Sequence, residues 1–132
     1  MAKIMKFKVY KNNKRTHIED IYKDIAEFLE ENSWIISKQI FLKDLEAREN
    51  LGCIKVDTNF YLPHLENNNI IENIIIRVDN FKNDILFILI KDNDTDAKNK
   101  AKNIVKNLLV EDKRKIILQS DRVKFEKISE YI

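Results

Sequence analysis

The sequence holds one glycine (Gly52), one proline (Pro63) and one cysteine (Cys53) in 132 residues. A backbone so poor in Gly and Pro has few places to turn sharply. Two of them lie within the stretch Arg48 to His64, RENLGCIKVDTNFYLPH, which also contains one of the 2 histidines. A single cysteine excludes an internal disulfide and offers no thiolate cluster for zinc. Cys53 reads as a small buried side chain, because a nucleophilic thiol needs a base beside it. Long hydrophobic runs are lacking as well: Ile74–Ile76 and Ile85–Ile90 are far too short to span a bilayer. The opening MAKIMKFKVY carries no apolar run of signal-peptide length, which gives the expectation of a cytoplasmic protein without membrane insertion. Nor is there an excess of one charge. The 24 Lys and Arg against 22 Asp and Glu leave +2, without the concentrated basic face of a nucleic-acid binder, so no direct nucleic-acid binding is expected. A metal site, a P-loop, a dinucleotide fingerprint and a Ser-His-Asp set are all missing, and no cofactor is expected.

What is present suits one domain over residues 1–132, with 44% apolar residues to fill one core. Ile4–Tyr10 alternates apolar and charged residues as a half-buried strand does, and Lys11–Arg15 reads as a polar turn. Thr16 and Glu19 have capping-box spacing ahead of a helix with Ile18, Ile21, Tyr22, Ile25, Phe28 and Leu29 at helical intervals. Ser37 caps a second helix running to about Asn50, with Ile40, Phe41 and Leu45 as apolar positions; Gly52 stands where a left-handed residue closes a helix. Cys53–Val56 and Phe60–Leu62 read as short strands about the turn Asp57–Asn59, with a further turn at Glu66–Asn69. Ile70–Val78 and Asp84–Ile90 are β-rich, the second apolar on both faces like a covered central strand. A helix from Asp94 or Thr95 carries Ala97, Ala101, Ile104, Val105, Leu108 and Leu109; Glu111–Gln119 forms another. Ser120 caps a last helix with Val123, Ile128 and Tyr131. The expected fold is an α/β (α+β) sandwich, a mixed sheet of about five strands with helices on both faces.

Pro63 biases Leu62 towards an extended backbone and presents His64 at a strand end facing a loop. A histidine that accepts a phosphoryl group needs one neutral ring nitrogen free to attack and a cation to offset the incoming charge. Arg48, in the last turn of the second helix, has a planar fork that matches phosphate oxygens. Its place near a helix C-terminus is also favourable against the helix dipole alone.

The stretch resembles the signature of the type-2 (fructose/mannitol-class) enzyme IIA domain of the bacterial phosphoenolpyruvate-dependent sugar phosphotransferase system. Arg48-Glu49, Gly52-Cys53 and Leu62-Pro63-His64 fall at that family's offsets without a gap. The resemblance implies that His64 accepts a phosphoryl group from the histidine phosphocarrier HPr and passes it to an EIIB domain in sugar uptake, with Arg48 stabilising the phosphohistidine. The sequence also departs from the pattern. The family's Thr is Ile54, its glycine-rich turn is Lys55 to Asn59, and the residue after the histidine is Leu65. The region where a second active-site histidine is expected reads Asp94-Thr95-Asp96-Ala97-Lys98. Lys98 could supply the positive charge but not an imidazole's hydrogen bonding; the other histidine, His17, reads as a surface residue.

Those departures suit an alternative: a degenerate, regulatory IIA-like module, excised from or related to a transcription regulator, with weak or no phosphotransfer. Its partners would then be regulator domains. A third reading is a small α/β domain of unrelated function.

Overall fold

The computed structural model describes residues 5–51, 55–57 and 59–128. Gly52, Cys53 and Ile54, with the expectations placed on them, lie outside the described residues, as does Tyr131.

The chain runs β1 (Lys6–Asn13), α1 (Ile18–Glu31), α2 (Lys38–Leu51), β2 (Lys55–Asp57), β3 (Phe60–Tyr61), β4 (His64–Asn67), β5 (Ile74–Asn80), β6 (Asp84–Lys91), α3 (Thr95–Leu108), α4 (Glu111–Gln119) and α5 (Arg122–Glu126). The described strands form one 6-stranded mixed sheet in the order β1-β5-β6-β3-β2, with β4 also on β6. β5 and β6 are antiparallel; β1 runs parallel to β5, and β3 and β4 run parallel to β6.

β6 explains the layering. Its alternate residues Ile85, Phe87 and Leu89 pack with α1 and α2, while Leu86, Ile88 and Ile90 pack with α3, α4 and α5. A strand apolar on both sides must be covered on both sides, so the helices divide between the two faces. On the first face Phe87 meets Tyr22 edge-on at 5.7 Å between ring centroids and Phe41 at 6.2 Å. On the second, Phe7 of β1 meets Phe125 of α5 edge-on at 5.9 Å. Arg77 of β5 is buried, lies over the Phe125 ring, and donates to Asp79 at 2.9 Å, the Ile117 carbonyl at 3.1 Å and Ser120 Oγ at 3.3 Å. Those bonds tie β5 to the end of α4 and satisfy a charge that would otherwise be costly to bury.

Asparagines do much of the turning that Gly and Pro do elsewhere. Asn59 and Asn93 take left-handed φ of 62° and 61°, a region Asn enters more easily than most residues. Buried Asn73 donates to Asp94 Oδ2 at 2.8 Å and accepts from the Lys91 amide at 2.8 Å, pinning the β6–α3 turn. Asn69 brackets Ser37 with bonds of 2.9 Å and 3.0 Å, fixing the start of α2 to the loop after β4. Asn80 reaches the Arg15 carbonyl at 2.9 Å and holds the β5–β6 hairpin by accepting from the Lys82 amide at 3.0 Å.

Several local expectations are corrected. β1 continues through Asn13, so the turn begins later than Lys11. The Thr16–Glu19 capping box does not form: His17 occupies the N-cap of α1 without a side-chain bond. Ser37 does cap α2, accepting from the Ile40 amide at 3.3 Å, but Ile40 itself is exposed, as are Leu109 and Val123. Asp121, not Ser120, caps α5. Glu66 and Asn67 belong to β4, and the turn follows at Asn68–Asn69.

Replacing Asn73 by Ala strands the Lys91 amide and frees Asp94. The expected loss is about 1–3 kcal/mol of unfolding free energy, read as a lower urea midpoint at unchanged slope.

Candidate functional site

Phe60 and Tyr61 lie opposite Asp84 and Ile85 on β6, and His64 lies opposite Ile88. The offset is the same on both sides of Leu62-Pro63, so residues 60–67 follow β6 as one line. The ladder breaks at Leu62-Pro63, where Pro63 has no N–H to give. Its carbonyl still accepts from the Ile88 amide at 2.9 Å. The imidazole therefore opens a second strand segment instead of facing a loop, which corrects the sequence expectation. Strand alternation then assigns sides. Phe60, Leu62 and Ile88 face the α3–α5 layer and Leu65 faces the α1–α2 layer, so His64 and Glu66 project on the α3–α5 side. Among the described residues no strand lies beyond β4, which leaves His64 at an open edge.

Two helices bring charge to that edge. Asn67 of β4 donates to Asp44 of α2 at 2.9 Å. Arg48 is one helical turn further on, on the same face of α2 as Asp44. A turn advances it by about 6 Å, towards the His64 end of β4. From the other layer, Lys98 in the first turns of α3 pairs with Glu66 Oε2 at 3.2 Å. The α3 N-terminus is held by Asp94, whose side chain accepts from the Ala97 amide at 3.1 Å; that bond and Asn73 keep its carboxyl below the usual range.

His64 is solvent-accessible at its edge position, yet protein crowds the ring enough to shift its proton affinity. Its pKa lies below the ordinary histidine value. Desolvation is the largest cause; the Glu66 carboxylate pulls it back up, and Arg48 and Lys98 push it down. That shift favours the neutral ring, the state in which a nitrogen lone pair is available. Arg48 and Lys98 are thus the two cations whose charge acts on His64. His17, exposed at the start of α1, is not among the groups acting on His64. Glu66 is the charged neighbour of His64 that the sequence reading placed in a turn. Its signal was alternation: two positions after a strand histidine is the same side of the strand.

Beside Arg48, exposed Glu49 lies near enough to Tyr22 to act on it. Its carboxylate raises the pKa of the Tyr22 hydroxyl, after desolvation as the larger cause, without completing a well-formed hydrogen bond to that buried oxygen. Opposite, Asn59 turns the chain between β2 and β3, and its carbonyl accepts from the Asp84 amide at 2.7 Å.

Side-chain NMR titration is expected to place the His64 pKa below 6.5, higher in Arg48→Met and lower in Glu66→Gln. Identical values in all three proteins would show that these charges do not reach the ring. Because the unfolded chain binds this proton more readily, the His64 contribution to stability is present above about pH 6.5 and declines as pH falls through that value towards the folded pKa.

No protein-family model matches the sequence, and no curated protein matches it at a significant level. Solved structures do match its shape, among them two IIA proteins. The crystal structure of IIA mannitol from Escherichia coli aligns with 93% of this chain and 94% of its own, at a TM-score of 0.63 and 11% identity. Nitrogen regulatory protein IIA-Ntr from Neisseria meningitidis aligns with 92% of this chain and 84% of its own, at a TM-score of 0.53 and 15% identity. Identities this low speak for shape and not for chemistry: the chain has the mixed α/β fold of these IIA proteins.

Proposed function

We propose that residues 1–132 form a IIA-like phosphocarrier that works in the cytoplasm, with His64 as the phosphoryl acceptor. The observation that carries this reading is a histidine shifted towards its neutral form at an open strand edge, with a cation from each helical layer acting on it. In the reaction, an unprotonated His64 ring nitrogen attacks the phosphorus of a donor phosphohistidine. The new N–P bond forms as the donor's P–N bond breaks, and that electron pair returns to the donor ring. Arg48 offsets the charge carried by the equatorial oxygens. The donor is HPr, and the acceptor downstream is an EIIB domain, by the combined support of the Arg48-Glu49 and Leu62-Pro63-His64 signature and the IIA fold.

One observation favours a second reading as a regulatory module: the site's other polar partners are Glu66 and Lys98 instead of a second imidazole. Adjacent EIIB and transporter genes support the carrier; adjacent transcription-regulator domains support the regulator.

Incubation with phosphoenolpyruvate, enzyme I and HPr is expected to give an acid-labile, base-stable phosphate, absent in His64→Ala. Arg48→Met is expected to slow labelling by about tenfold to a hundredfold. An unlabelled wild type, or equal label on His64→Ala, contradicts the proposal.

A further inference from the structure

Glu66 and Lys98 form an ion pair between β4 and α3. It joins a strand edge to a helix start at 3.2 Å, with side-chain exposures of 24% and 45%. An ion pair this open is weak and readily exchanged. It also lies where a phosphoryl group would arrive. His64 and Glu66 are on the same side of β4, with Cα atoms about 7 Å apart by strand geometry. The charged groups acting on the ring are Glu66 from its own strand, Arg48 from α2 and Lys98 from α3.

We infer that Glu66 is an exchangeable counter-ion: it neutralises Lys98 while His64 is free, and releases the ammonium to the phosphoryl group once His64 carries one. The inference rests on His64 being a phosphoryl acceptor. A phosphoryl group brings about −1.5 to −2 charge near neutral pH, against one negative charge on Glu66. At equal distance it attracts the ammonium up to about twice as strongly, and it repels the Glu66 carboxylate. The exchange needs only side-chain motion. The backbone of α3 stays anchored by the Asp94 cap, itself bonded to Asn73 at 2.8 Å, while the flexible lysine stem swings. Lys98 is then the second cation of the phosphorylated site, and Glu66 is a positioning residue that acts through it.

The test is a double-mutant cycle on the full chain, using phosphoramidate, which loses ammonia as its phosphorus bonds to the histidine nitrogen. Labelling rates are read by 31P NMR for wild type, Glu66→Gln, Lys98→Met and the double variant. Simple charge repulsion predicts that Glu66→Gln speeds labelling by one factor in both backgrounds. Exchange predicts a factor larger by about threefold or more when Lys98 is present, and Lys98→Arg restoring most of the excess. Equal factors in the two backgrounds, or no recovery with Lys98→Arg, overturn the exchange while leaving His64 as acceptor. A wild type that takes no phosphoryl group from phosphoramidate or from HPr overturns the acceptor reading and the exchange with it.

Discussion

The two-sided burial of β6 is the constraint from which the rest of the arrangement follows. Ile85 through Ile90 are at most 1% exposed, so neither face of that strand tolerates water. The chain answers with α1 and α2 on one side and α3, α4 and α5 on the other. Because residues 60–67 hold a constant register against β6, this strand also decides which way His64 and Glu66 point. Lys98 approaches from the layer they face and Arg48 from the opposite one. The site is thus a consequence of sheet geometry, with the open edge of β4 lying between two helical layers.

The energetics of the site are a balance of opposing terms. Crowding and two cations disfavour the imidazolium, and one carboxylate favours it. The first three keep a lone pair free on the ring; the same cations would oppose protonation and welcome an anion. Glu66 tempers this by neutralising one of them in the resting protein.

Periodic features were legible in the sequence. The amphipathic α1, the helix Glu111–Gln119 and the two-sided apolar run of β6 all follow from spacing alone. At the ends of the rare-residue stretch, the Arg48 charge is one of those that lower the His64 pKa. What could not be read was non-periodic. The Asn69 and Asn73 bonds join segments far apart in sequence, and no local pattern encodes them. Thr16 and Glu19 have ideal capping spacing, yet the helix starts at Ile18 and leaves them no cap to make. Glu66 looked like part of a turn because Asn67, Asn68 and Asn69 follow it. In fact the ladder with Ile90 and Lys91 extends the strand through Asn67.

The central claim is that His64 carries the phosphoryl group on a ring nitrogen, and the most direct measurement is the 31P–15N coupling in 15N-labelled protein phosphorylated through HPr. The account predicts one new N–P resonance coupled to a ring nitrogen of His64, with His17 unchanged. Phosphorus bonded to His17, to an oxygen, or to nothing on the chain would contradict it.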